Sequence, residues 1–120
     1  MINLQQANNV PKIQTPQSEK KLFAITRTDM PWSTRVVQIS HAISMLIFKN
    51  HLEMETDWDN ESGANFIFYR TANEQELKKW LEILGDSAQG FYEPDFPGCP
   101  LTAIAYWGEY HTEFATLGLL

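Results

Sequence analysis

The sequence predicts an α/β domain: a three-layer α/β/α arrangement around a four-stranded mixed sheet, with elements in the order β-α-β-α-β-β. Three observations carry this. Short apolar runs of strand length, at residues 22–26, 65–70 and 101–107, alternate with two stretches in which apolar residues recur every three or four positions. Turn-forming residues such as Pro31, Gly85 and the Pro94–Pro100 segment separate them. Finally, 43% of the 120 residues are hydrophobic and only Cys99 is a cysteine, so a single domain must hold itself together by an apolar core.

Residues 1–20 contain chiefly Gln, Asn, Pro, Ser and Lys and are expected as a flexible polar arm ahead of a domain spanning residues 21–120. Residues 22–26 (LFAIT) form an apolar run bounded by charge and are expected as a buried first strand. Pro31 disfavours helical backbone at Met30, so a loop is expected there, with Ser33 capping a helix over about residues 34–49. Val36, Ile39, Ile43 and Leu46–Ile47 fall at helical spacing. Val37, Met45 and Phe48 widen the stripe, which predicts a helix buried on more than one side.

The acidic residues 51–64 are expected as a surface loop, or as a frayed helix end followed by a loop, ahead of a second strand at 65–70. Thr71 or Asn73 caps a second helix over residues 74–84, with Leu77, Trp80, Leu81 and Leu84 facing inward and Gly85 as its stop. Residues 90–93 make a third strand and 101–107 a fourth; residues 109–120 close with a short helix and an apolar tail. Two helical crossovers imply parallel pairing, and the short last link an antiparallel final strand.

The sequence contains no Gly-rich phosphate loop, HExxH, GxSxG or CxxC motif, which removes the common nucleotide, zinc-protease, α/β-hydrolase and thioredoxin readings. Nine Lys and Arg against fifteen Asp and Glu leave a net charge of −6, which argues against DNA and against tight non-specific nucleic-acid binding. A local basic patch stays open, since fields are local over about 8–10 Å. The longest apolar run, residues 42–48, is too short to span a bilayer, and residues 1–17 lack the apolar core of a secretory signal. With one unpaired thiol, the expectation is a cytoplasmic protein without a membrane partner.

Polar residues collect in two places. After the first strand stand Arg27, Asp29, Ser33, Thr34, Arg35, Gln38 and His41; Thr34, Gln38 and His41 share one helix face, beside an N-terminus suited to an anionic group. After the third strand stand Glu93, Asp95, Cys99 and Thr102. Carboxyl-end loops of this kind are where α/β sheets bind ligands. Each cluster also has a purely structural reading: a hydrogen-bonded histidine in a helix, and carboxylates that hold turns. His41, His51 and His111 lack metal-ligand spacing, so no metal or cofactor is expected.

The segment A-I-T-R-T-D-M-P-W-S-T-R-V-V-Q-I-S-H-A resembles the type 2 peptidyl-tRNA hydrolase family, which carries Arg-x-Asp after its first strand and a helix opening A-A-Q-x-x-H-A; Arg27, Asp29, Gln38, His41 and Ala42 match. The later F-Y-E-P-D-F-P-G-C-P-L-T-A-I-A resembles the family's Asp loop and the strand after it, at Asp95, Thr102, Ala103 and Ile104. The ending F-A-T-L-G-L-L is similar to that of a shorter bacterial and phage-type branch. The chain departs from the family at Thr34, where a lysine precedes the glutamine by four residues, and the Gly-Lys turn is missing. Neighbouring Arg35 is no substitute for a titrating lysine, because it stays protonated.

The resemblance implies a homodimer that hydrolyses the ester joining a peptide to the terminal ribose of tRNA. It makes His41, Gln38, Asp95 and Thr102 catalytic: His41 activates water with Gln38, Asp95 balances charge, and Thr102 with helix-start N–H groups stabilises the oxyanion. Arg27, Asp29, Thr34 and Arg35 become substrate-binding residues, the arginines meeting phosphate. The alternative is a non-catalytic homodimeric binding module that kept the fold and lost the lysine. An enzyme requires Gln38, His41, Asp95 and Thr102 to converge on one open cleft.

Overall fold

A computed structural model describes residues 20–60 and 66–120. Residues 1–19 of the expected arm, and residues 61–65, lie outside that range. The elements are β1 (Lys21–Arg27), α1 (Trp32–Asn60), β2 (Phe66–Thr71), α2 (Glu74–Leu84), a 3₁₀ turn (Gly85–Ser87), β3 (Ala88–Tyr92), β4 (Leu101–Gly108), a second 3₁₀ helix (Thr112–Thr116) and β5 (Gly118–Leu119). No helix among the described residues is long and apolar enough to cross a membrane.

The fold is mixed α/β with one five-stranded sheet, ordered β3-β4-β1-β2-β5. β1 and β2 pair in parallel; β1–β4, β3–β4 and β2–β5 are antiparallel. Strands β1, β2 and β3 therefore point the same way, as two helical crossovers require. The sheet has a fifth strand where four were expected. The apolar tail pairs along β2, Tyr69 opposite Leu119 and Arg70 opposite Gly118, and the Leu120 N–H donates to the Phe68 carbonyl at 3.0 Å. This satisfies part of an otherwise open edge. Two residues are too few to register as a strand by periodicity.

β1 sits between β4 and β2 and buries Leu22–Thr26 completely, which explains its unbroken apolar run. Its alternate residues feed two clusters. Leu22 and Ala24 pack with Ile39, Ala42 and Leu46 of α1 and with Ala103, Ala105 and Trp107 of β4. Phe23 and Ile25 pack with Leu77, Trp80 and Leu84 of α2 and with Tyr69, Ile104 and Phe114. Phe114 is the hub of the second cluster: its ring lies 4.8 Å from Phe23, 5.1 Å from Tyr69 and 5.2 Å from Trp80.

Helix α2 has its expected limits. The Asn73 side chain accepts the Glu76 N–H at 3.0 Å, and Gly85 takes the left-handed φ of 66° that ends it. Helix α1 departs from expectation in three ways. It begins at Trp32, and the Pro31 carbonyl, not Ser33, supplies the first acceptor, to the Arg35 N–H at 3.0 Å. It runs on to Asn60 through the acidic stretch expected as a loop or a frayed helix end, with a kink at Asn50. There the Asn50 side-chain amide donates to the Leu46 carbonyl, which a regular helix would give to the Asn50 backbone N–H. Glutamates are good helix formers, and buried Met54 holds this second half to the core, so acidity did not signal a loop. Third, α1 buries one face only: Gln38, Ile39, Ala42 and Leu46 turn inward, while Val36, Val37, Met45, Ile47 and Phe48 are exposed.

Strand β3 starts at Ala88, earlier than expected, and ends before Glu93. Its register with β4 steps from Phe91 opposite Ala103 to Tyr92 opposite Leu101, which leaves Thr102 unmatched as a bulge. A bulge reverses the alternation of the strand and re-aims a side chain. Leu101 thus joins the α2-side cluster, and Ala103 the α1-side cluster.

Truncating the aromatic hub tests the core. Phe114→Ala is expected to lower the free energy of unfolding by about 3–5 kcal/mol, read as a reduced urea midpoint at unchanged slope.

Candidate functional site

The carboxyl ends of β1, β2 and β3 lie together, where α1 and α2 begin and β4 starts. Three side chains brace this end. The Arg27 guanidinium makes a two-pronged bond to Asp29, 2.8 Å from Nε to Oδ1 and 2.9 Å from Nη2 to Oδ2, and its Nη1 donates to the Leu101 carbonyl at 3.0 Å. Arg35 reaches back from α1, donating to the Met30 carbonyl at 2.7 Å and the Thr28 carbonyl at 2.9 Å. Glu74, at the start of α2, accepts the Leu101 N–H at 2.8 Å. The Arg27 bond holds the Asp29 carboxyl below the usual carboxylate range, and the Leu101 N–H does the same for Glu74. The loop after β1 is therefore a preset shape, and its arginines are committed to holding it.

Beneath this brace runs a buried chain of donors. The Thr26 hydroxyl donates to the Thr102 carbonyl at 2.9 Å. The Thr102 hydroxyl lies 2.6 Å from Gln38 Oε1 and 3.3 Å from the Phe91 carbonyl. Gln38 Nε2 donates to Glu93 Oε1 at 3.0 Å, and the Asp95 N–H donates to Glu93 Oε2 at 3.0 Å. Thr26, Thr102, Gln38 and Glu93 are all buried.

Chemistry alone sets the direction of the chain. An ionised carboxylate only accepts, so the Gln38 amide must present its NH₂ to Glu93 and its oxygen to Thr102. The Thr102 proton then points inward, since both of its neighbours are acceptors. Every donor leads toward Glu93. The Asp95 N–H first, then the Gln38 amide, and last the positive form of His41 hold its carboxyl below the ordinary glutamate range, against the opposing effect of burial.

His41 stands on α1 one turn beyond Gln38, exposed, with its ring stacked on Phe91 at 4.6 Å and 24°. Of the residues singled out by sequence, Gln38 and Thr102 come together in the buried chain, and His41 lies at its mouth. Asp95 enters through its backbone; its side chain is exposed. Arg27 and Asp29 pair with each other, and Thr34 is half-buried in the first turn of α1. Glu93 belongs to the second polar cluster, with a turn carboxylate as its structural reading, and stands outside the residues the resemblance makes catalytic; in the structure it is the common acceptor. A buried glutamine on an apolar helix requires a partner, and that was the signal for it. Exposed Cys99 has a φ of 48° between Gly98 and Pro100. Among the described residues, no group of three or more His, Cys, Asp or Glu side chains is placed to hold a metal.

No protein-family model matches the chain, and no curated protein matches it.

Two measurements test the buried chain. Thr102→Val keeps the shape but strands the Gln38 oxygen, and should destabilise the fold by about 1–3 kcal/mol in chemical denaturation. Because the Glu93 carboxyl is held below its unfolded value of about 4.3, its contribution is complete above that pH and is lost as pH falls through the folded value. The stability gap between the wild type and Glu93→Gln should therefore be widest near neutrality and shrink on acidification below about pH 4.

Proposed function

We propose that this protein is a peptidyl-tRNA hydrolase-like ester hydrolase of the cytoplasm, on a three-layer α/β/α fold of the type 2 kind. The observation that supports this reading is exposed His41 stacked on Phe91 at the carboxyl end of the parallel strands, where its positive form helps lower the buried Glu93 carboxyl below the ordinary glutamate range. His41 takes a proton from water as the oxygen attacks the ester carbonyl carbon, and returns a proton to the departing ribose oxygen. Glu93 offsets the imidazolium charge that forms in between. Gln38 and Thr102 orient Glu93 and do not touch the substrate, because the Thr102 proton is already held by Gln38. Oxyanion stabilisation then falls to first-turn N–H groups of α1. Asp95 contributes its backbone N–H, which shares in fixing Glu93. Arg27, Asp29 and Arg35 shape the loop, which leaves Thr34 as the substrate contact at the helix start.

Two observations favour a second reading, a binding module without turnover: Gln38 and Thr102 are buried while the Asp95 side chain is exposed, so the four do not converge on one open cleft, and the family lysine is replaced by Thr34, with no other lysine between Lys21 and Lys49 to take its place. An assay of protein purified free of host hydrolase separates the two. For the enzyme, peptidyl-tRNA is cleaved, His41→Ala lowers kcat by about 10²–10⁴-fold, and Thr34→Lys raises it. Binding without cleavage, in wild type and Thr34→Lys alike, would establish the module.

A further inference from the structure

An exposed histidine keeps one orientation only if something holds it. Catalytic imidazoles are usually held by a hydrogen bond at the nitrogen that does not react. His41 is different: among the described residues, no hydrogen-bond partner stands at either of its ring nitrogens. Its ring lies instead against the face of Phe91, with centroids 4.6 Å apart and planes 24° from parallel.

The backbone explains why these two rings meet. Phe91 and Glu93 are two residues apart where β3 ends, and the Glu93 N–H still donates across to the Pro100 carbonyl at 3.0 Å. That spacing sets their side chains on one face of the strand. Gln38 and His41 are three apart on α1, a spacing that sets them on one face of a helix. Glu93 meets Gln38 and Phe91 meets His41, so the pairing runs in opposite directions along the two elements. A crossover helix lying antiparallel to its strands gives that order. Phe91 is itself fixed. It is half-buried against the α1-side core cluster, pairs with Ala103 as the last regular pair before the bulge, and has its carbonyl 3.3 Å from the Thr102 hydroxyl.

A stack does what a hydrogen bond does not. Protons enter and leave an imidazole in the ring plane, at Nδ1 and Nε2. A hydrogen bond fixes the ring by occupying one of them, whereas a stacked neighbour covers a face and leaves both edges open. We propose that Phe91 is a positioning residue: its ring sets the rotamer of His41 and aims the imidazole at the mouth of the buried chain, with both nitrogens available to substrate. An aromatic stack favours one arrangement by about two- to tenfold, which is the loss to expect without it. The effect on turnover rests on the hydrolase reading; the stack itself does not.

Two variants of the full chain test it. Phe91→Leu removes the ring and keeps an apolar side chain; Phe91→Tyr keeps the ring. Proton NMR at about pH 8.5, above the ordinary imidazole range, reads the stack, with the His41 signals identified by their absence in His41→Gln. Loss of the ring current in Phe91→Leu should move the His41 Cδ2 and Cε1 protons downfield and leave those of His51 and His111 in place. Phe91→Tyr should restore the wild-type positions. Cleavage of peptidyl-tRNA, measured below the melting of every variant, should show kcat lowered by about two- to tenfold in Phe91→Leu, with KM unchanged and Phe91→Tyr close to wild type. His41 signals indifferent to Phe91→Leu overturn the proposal, whatever the activity. So do moved signals with an unchanged kcat, or a loss of rate that Phe91→Tyr shares. A wild-type chain that cleaves nothing overturns the hydrolase reading, and the NMR comparison alone then upholds or overturns the placement of His41 by Phe91.

Discussion

A carboxylate taken out of water must find donors, and the candidate site is arranged around that requirement at Glu93. It explains features that look unrelated along the chain. Gln38 interrupts an otherwise apolar buried face of α1 because Glu93 needs its amide. Thr102 sits at a bulge in β4 because regular alternation would turn its hydroxyl away from Gln38. The turn after β3 folds so that the Asp95 N–H returns to the second carboxylate oxygen. Three segments distant in sequence are thereby tied to one charge, and the tie is directional: reversing the amide would set oxygen against oxygen.

The same economy governs the surface above. Arginines at the end of a strand and the start of a helix look like anion contacts, but here a backbone loop claims them. Arg27 grips Asp29 and Leu101, and Arg35 grips Thr28 and Met30. A guanidinium presents several donors in a fixed plane and so can replace the hydrogen bonds an irregular loop lacks. The result is a rigid rim around a single exposed histidine.

Helix α1 serves two surfaces at once. Its inner stripe carries both core leucine and the buried glutamine; its outer stripe is apolar where solvent would favour charge. Read on a helical wheel, apolar residues on both sides imply burial on both sides. Within one chain only the inner side is buried.

Much was legible from sequence because it depends on local chemistry. The limits of α2 follow from Asn73, an amphipathic run and Gly85; β1 and β4 follow from apolar runs too short and too β-branched or aromatic for helices. Candidate residues Gln38, His41 and Thr102 stood out as polar groups within apolar elements. What local pattern did not contain was decided by distant contacts: the two-residue β5, which exists only because β2 offers an open edge; the continuation of α1 past Asn50; and the bulge at Thr102. The largest revision concerns Glu93. A glutamate before a proline reads as a turn residue, and no window of sequence shows that a glutamine fifty-five residues earlier donates to it. Residue type determined which groups were able to bond. Only the packing of α1 across β3 and β4 decided which of them were shut away from water and so had to bond to one another.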